Sequence, residues 1–426
     1  MQKRVLSSAI ALALTALAAG SALAQSSVTI YGNIDVSFDR VKRDVGDVVA
    51  PGLESLNVKQ STSRVGPDLS SQSALGFRGV EDLGGGYKAN FVLEGQMGVD
   101  TGALLRDSRM FGRQAYVGVT SPFGEVRLGR QYAPIFFSSA VITTERFGGT
   151  DQFIEGGLSN TLNIRWDNAI TYSAQMAGFR GQLGFSPNAG AADIINGNRT
   201  TTATQGSNDG SILGGNNSGA STEKTSGRGR SWGAFGAYAI DALTVSAGYS
   251  STNFANAQVR LGTTNSALTN VFKLGDYSVW NLGAKYVLKD LGLTFTGAFG
   301  RATYDVRDTT LTANALGVTN GDLRVSSLVL GTRYEIGAVA LLGQWSETKF
   351  RNESRGKNVG YTLGAEYSLS KRTTLYSRFA QLKDTGVGPA VLFSATGIRE
   401  VPPMAGAGIS PDGKTSLLAL GVRHNF

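Results

Sequence analysis

After Ala24 the chain is a succession of segments in which apolar and polar residues alternate with a period of two, and no apolar run long enough for a spanning helix interrupts them. In the first such segment Val28, Ile30, Ile34, Val36 and Phe38 fall on one face. Thr29, Tyr31, Asn33, Asp35, Ser37 and Asp39 fall on the other. Side chains of a strand point alternately to its two sides, so this segment is a ribbon with one dry face and one wet face. Leu243, Val245, Ala247 and Tyr249 repeat the pattern against Thr244, Ser246, Gly248 and Ser250, as do Tyr361, Leu363, Ala365, Tyr367 and Leu369. Short connections are expected at Asp82–Gly86, Ser121–Gly124, Gln175–Gly178, Ile240–Ala242, Lys289–Leu291, Glu335–Gly337 and Leu369–Lys371. Longer polar stretches lie around 41–70, 97–109, 132–163, 187–229, 252–276, 305–323, 347–357 and 384–414. Seven short turns and eight long loops join sixteen strands. That rhythm, with an even strand number, predicts an all-β, transmembrane 16-stranded antiparallel β-barrel.

The polar face decides which way the ribbon turns. It carries Lys88, Asn90, Glu94 and Lys285, groups whose burial in a dry core is costly. A soluble barrel would put the apolar face inside. The inverted arrangement places apolar residues against lipid and polar ones around water, and closure leaves no unpaired edge in the bilayer. Tyr31, Trp280, Tyr286, Tyr361 and Phe426, near strand ends, suit aromatic girdles.

Residues 1–24 read as a cleavable export signal: Lys3 and Arg4, an apolar run from Val5 to Gly20, then Ala22-Leu23-Ala24. The run is too short for a spanning helix. Residues 25–426 then form a single barrel domain. An exported chain with no Cys has neither disulfides nor thiolate metal sites, and no metal or other cofactor is expected. The net charge is +8, of which Lys3 and Arg4 carry two. The bases are scattered singly, so no nucleic-acid surface is expected.

An enzyme on such a barrel needs a base to activate its nucleophile. The one His, His424, shares the apolar face of the last strand with Leu418, Leu420, Val422 and Phe426, and the chain is not expected to be an enzyme. Gly84-Gly85-Gly86 is a turn and not a phosphate loop, since no Lys-Ser or Lys-Thr follows.

The chain resembles the Gram-negative general porins, most closely the trimeric sixteen-stranded type of betaproteobacteria. The resemblance rests on the order of Ser27–Gly32, Leu75–Gly86, Arg113-Gln114-Ala115-Tyr116-Val117-Gly118, Leu128-Gly129-Arg130-Gln131-Tyr132 and the final Phe426. It implies an outer-membrane homotrimer surrounded by lipid and lipopolysaccharide. It also implies insertion by the barrel assembly machinery through the terminal Phe426. The third loop, about 132–163, is expected to fold into the lumen with Arg146-Phe147-Gly148-Gly149-Thr150-Asp151 at its tip. Arg113 and Arg165 correspond to the family's wall arginines, with Arg130 and Arg78 as further members; Ala74 stands where many relatives place another, and Arg64 or Arg78 would have to compensate. Glu145, Asp151 and Glu155 would face them from the loop, beside Arg146. Fixed guanidinium charge in a narrow passage favours counter-ions, so a passive channel for inorganic anions and small hydrophilic solutes is expected.

Alternatives from other classes remain. Local pairing of the arginines with Glu94, Glu125 or the loop acids would leave little net field. A substrate-specific channel needs a lumenal aromatic track, for which Tyr116, Phe136, Phe137 and Phe147 are too few. An adhesin-like barrel would use the Gly-, Asn- and Ser-rich stretch 187–229.

Overall fold

The computed structural model describes residues 27–44, 59–67, 69–104, 109–144, 165–189, 194–196, 229–260, 272–309, 319–352, 355–385 and 413–426. The proposed export signal lies outside them. Sixteen strands form one closed antiparallel barrel. They are β1 (Ser27–Asp44), β2 (Lys59–Pro67 and Ala74–Gly84), β3 (Tyr87–Gly98), β4 (Gln114–Ser121), β5 (Gly124–Tyr132), β6 (Arg165–Met176), β7 (Phe179–Ser186) and β8 (Ser231–Ile240). The second half comprises β9 (Leu243–Arg260), β10 (Phe272–Leu288), β11 (Leu293–Arg307), β12 (Gly321–Ile336), β13 (Val339–Arg351), β14 (Arg355–Ser368), β15 (Thr373–Thr385) and β16 (Lys414–Asn425). β16 pairs with β1 from Asn33–Asn425 to Asp44–Lys414, which closes the wall. All seven short turns fall where the sequence places them.

Parity along the strands sets the two faces. Val28, Ile30, Ile34 and Phe38 are exposed on the outside, whereas Asp35, Ser37 and Asp39 are buried inside. Leu418 and Leu420 of β16 are likewise outward, and His424 is exposed on the same side. A cation on this face meets hydrocarbon. Leu420→Arg is expected to destabilise the folded barrel by about 2–4 kcal/mol, read from equilibrium folding into lipid vesicles. Trp280, Tyr286 and Phe426 are outward, as the girdle reading requires, and Tyr361 is half-buried against Phe379. Tyr31 is not a girdle residue. Its odd parity turns it inward, where its hydroxyl donates to Glu94 at 2.8 Å.

Several strands run further than the sequence reading allows. β9 and β10 extend into the stretch 252–276, and β13 and β14 leave only Asn352–Ser354 between them. The polarity of the ribbon reverses along these ends. On β11 to β13 the outward face changes from Phe299, Leu328 and Trp345 to Arg301, Arg324 and Lys349, all exposed. The inward face changes from Thr296 and Gln344 to Tyr304, Leu323, Val325 and Phe350, all buried. Beyond the lipid the sheet has water outside and an apolar interior, as in a soluble protein.

β2 is interrupted between Pro67 and Ala74, where residues 69–73 lie beside only Ile34 and Asp35 of β1. The extra residues form an inward bulge. Asp35 Oδ2 accepts the backbone N–H of Ser70 and Ser71 at 3.1 and 2.7 Å. Tyr376 Oη donates to Asp35 Oδ1 at 2.5 Å, and Arg423 donates to the Ser70 hydroxyl. The bulge is thus tied to the seam where β16 meets β1.

Candidate functional site

The third long connection enters the barrel immediately after β5. Pro134, with its φ already suited to a first turn, opens a short helix, α1 (Pro134–Val141). α1 crosses the inner wall of β8 to β11. Ser138 donates to Asn281 Oδ1 at 2.6 Å, Asn281 donates to the Ser139 hydroxyl at 2.7 Å, and Ser246 donates to the Ser138 carbonyl at 3.1 Å. Val141 and Ile142 pack on Ala237, Ala298 and Val329. Close approach needs bare backbone on the wall. A side chain at Gly248 would strike Ser138, and one at Gly283 would strike Ile142. The loop tip Arg146–Asp151, with Glu145 and Glu155, lies outside the described residues.

Next to α1, Arg113 and Arg165 meet at one tyrosine, whose ring stacks on Phe136 of the helix. Both guanidiniums donate to the Tyr132 hydroxyl at 2.8 Å, and Arg165 also lies 4.4 Å above the centre of the Tyr132 ring. Arg113 further engages Glu94 and the side-chain carbonyl of Gln72, which projects from the β2 bulge. Glu94 takes its second bond from Tyr31, and Arg78 lies over the Tyr31 ring at 5.1 Å. Arg113 therefore binds the Glu94 carboxylate directly, while Arg165 joins the group through Tyr132 and Arg78 through the Tyr31 ring. Pairing of a wall arginine with Glu94 is present; Glu125 instead binds Arg127, at 2.6 Å.

Arg130 belongs to a second group. It donates to Asp167 at 2.5 Å and to the Gly112 carbonyl at 2.7 Å, and Arg109 shares the same carboxylate at 3.0 Å. Arg64 pairs with Asp39 at 3.1 Å and does not join Arg113. Ala74 is buried and uncharged, and the neutral Gln72, two residues earlier, reaches Arg113.

Three features escaped the sequence reading. Gln72 lies in a bulge that strand alternation does not announce. Tyr132 was visible in the Gly-Arg-Gln-Tyr motif, but its bridging role required the register of β5 against β6. The third is a cluster on the far wall. Glu366 accepts from Arg378 at 2.6 Å and Arg333 at 2.9 Å, with Arg423 at 3.7 Å. Its members lie on β12, β14, β15 and β16, far apart in the chain.

The aromatic reading also needs correction. Tyr132, Phe136 and Phe137 continue into Phe235 of β8, so four rings stand in file inside the barrel. Phe235 has inward parity, which its neighbours Gly233 and Ala237 conceal in the sequence. Phe147 lies outside the described residues.

The chain and its closed barrel have counterparts among known proteins. An outer membrane porin protein of Bordetella pertussis is 28% identical over 440 residues, covering 98% of this chain and 99% of its own. Outer membrane porin protein 32 of Delftia acidovorans is 29% identical over 432 residues, with the same coverage. The solved anion-selective porin from Comamonas acidovorans superposes with a TM-score of 0.58 at 24% identity, over 94% of this chain and 100% of that one. The family model described as Gram-negative porin matches residues 9–386, and the chain belongs to that family.

Proposed function

We propose that this outer-membrane porin, a passive channel for ions and small hydrophilic solutes, prefers anions and is selective at the wall formed by Arg78, Arg113 and Arg165. One observation carries the reading: among the described residues, Arg113 and Arg165 meet at the Tyr132 hydroxyl beside the inward α1, with Glu94 bound by Arg113 and Arg78 over the neighbouring Tyr31 ring. A guanidinium keeps its charge at every relevant pH, so the excess positive charge is fixed. Held in a passage walled by low-dielectric protein, it raises the local concentration of counter-ions. Arg130 is a flanking member, its charge shared with Asp167 and Arg109. The loop residues Glu145, Arg146, Asp151 and Glu155 would supply the opposing charge across the lumen. The anion-selective counterpart from Comamonas acidovorans supports the same sign.

The assembly we infer is a homotrimer, embedded in outer-membrane lipid and lipopolysaccharide and inserted by the barrel assembly machinery through the strand ending in Phe426. The trimeric crystal form of a related fold, OmpT of Vibrio cholerae, supports it. Ion substitution tests the selectivity. Exchanging potassium chloride for potassium acetate is expected to lower single-channel conductance more than exchanging it for lithium chloride. The reverse order would contradict anion preference.

A further inference from the structure

The file of four rings leads somewhere. It begins at Tyr132 under Arg113 and Arg165, with Tyr132 and Phe136 stacked at 3.8 Å and 16°. Phe136 meets Phe137 edge-on at 5.3 Å, and Phe137 stacks on Phe235 at 5.8 Å and 28°. The last two rings form one side of a recess of 390 Å³ on the inner wall, on the short-turn side of α1. Register fixes the rest. Glu125, Ser173, Gln182 and Phe235 occupy one cross-strand row over β5 to β8, and Arg180 lies two residues from Gln182, toward the turn at Ala177–Gly178.

Each element of this recess is unlike its surroundings. Phe137 and Phe235 are only partly buried and present ring surface to an aqueous lumen whose inner wall nearby is Ser, Thr, Gln and Gly. Ring surface left facing water is unfavourable and marks a binding face more often than chance exposure does. The carboxylate of Glu125 is held by Arg127, but Arg180 has no carboxylate partner among the described residues. Gln182 is buried and donates to Ser173 at 3.1 Å, while its Oε1 accepts no hydrogen bond. A buried acceptor without a donor is a feature that a ligand can satisfy.

We propose that this recess is a binding subsite for small aromatic carboxylates. The ring lies against Phe137 and Phe235, the carboxylate meets Arg180, and a ring hydroxyl donates to Gln182 Oε1. Offset contact between π faces favours an aromatic ring over an aliphatic one of equal size. Phe136, Phe137 and Phe235 are the partly exposed rings of the file, and they lead toward Arg180. The inference goes beyond anion preference, which treats all small anions by charge alone.

The test is current block of the refolded channel by benzoate, cyclohexanecarboxylate and acetate, with titration calorimetry of the same protein to detect binding that leaves current unchanged. Benzoate is expected to half-block, or to bind, at a concentration about tenfold below acetate and below cyclohexanecarboxylate, with 4-hydroxybenzoate tighter still. Arg180→Gln and Phe235→Leu should each erase that advantage. Arg113→Ala should shift ion selectivity and leave the benzoate-to-acetate ratio in place. Equal values for the three acids by both methods would overturn the proposal. So would loss of the advantage in Arg113→Ala with retention in Arg180→Gln, because the ligand would then sit at the selective wall. A folded barrel that conducts no ions would sink the channel reading, while calorimetry would still decide the subsite.

Discussion

Glu366→Ala is expected to destabilise the folded barrel by about 3–5 kcal/mol, the scale on which breaking a buried ion pair from one side operates. Glu366 is the carboxylate on which Arg333, Arg378 and Arg423 converge, and the side chains of Arg378 and Arg423 are 1% and 3% exposed. Removing the acid leaves like charges close together without their counter-ion, away from bulk water. Arg378 retains its bonds to the carbonyls of Ala365 and Ser377, which offset part of the loss. Glu366→Gln keeps the shape and one acceptor oxygen but replaces the other with an NH2 that cannot accept from an arginine, so its cost should fall between those of wild type and alanine. The internal contrast is Glu335, which binds the same Arg333 at 2.9 Å but is 61% exposed. Solvent-exposed pairs contribute about 0–1 kcal/mol, so Glu335→Ala should be close to neutral. Urea titration of folding into vesicles separates the two. Equal small effects would mean that the lumen hydrates Glu366 far more than its burial implies.

The second large effect is on ion selectivity. Arg113→Ala combined with Arg165→Ala is expected to lower the anion-to-cation permeability ratio by about tenfold. A unit charge about 5 Å from an ion in a water-like medium contributes roughly 0.8 kcal/mol, and salt at about 0.1 M reduces this by nearly half. Anions gain and cations lose by that amount, so each charge removed moves the ratio by roughly fivefold before neighbours respond. Two removals leave Glu94 with Arg78 as the remaining guanidinium of the group, a local balance near zero, so the wall loses its excess positive charge without reversing sign. Arg64→Ala serves as the comparison, because Arg64 is paired with Asp39 away from the Arg113 group. An unchanged ratio in the double variant would remove Arg113 and Arg165 from the selective wall.

The lipid-facing half of each strand was legible in the sequence because burial in lipid demands strict parity: Val28 to Phe38 and Leu418 to Leu420 lie as alternation requires. The outer ends were less so. Arg301, Arg324 and Lys349 take over the outward face where the sheet leaves lipid, so an expectation of one apolar face along the whole strand ends too early and assigns the remainder to loops. Arg113 and Arg165 were legible through motifs, since each stands at a fixed distance from a strand start. Their meeting at Tyr132 was not, because it depends on register between strands that share no local signal. The same holds for Glu366 and its three arginines. The bulge at 69–73 was hidden for a different reason: its Ser-rich composition reads as the end of a loop, and only the anchoring by Asp35 shows that it turns inward.

That anchoring links two parts of the lumen. Asp35 fixes the backbone of Ser70 and Ser71, and Gln72, one residue on, holds Arg113. The seam of the barrel thereby positions a guanidinium of the proposed selective wall with a neutral partner, where the family pattern would place another arginine at Ala74.

The central claim is a water-filled lumen whose fixed charge at its selective wall is positive. Its most direct test is the zero-current potential of the purified, refolded protein in a planar bilayer across a potassium chloride gradient. The structure predicts steady open conductance with a potential displaced toward the chloride equilibrium value. Displacement toward the potassium value would contradict it, leaving a porin whose selectivity is set by carboxylates and not by Arg78, Arg113 and Arg165.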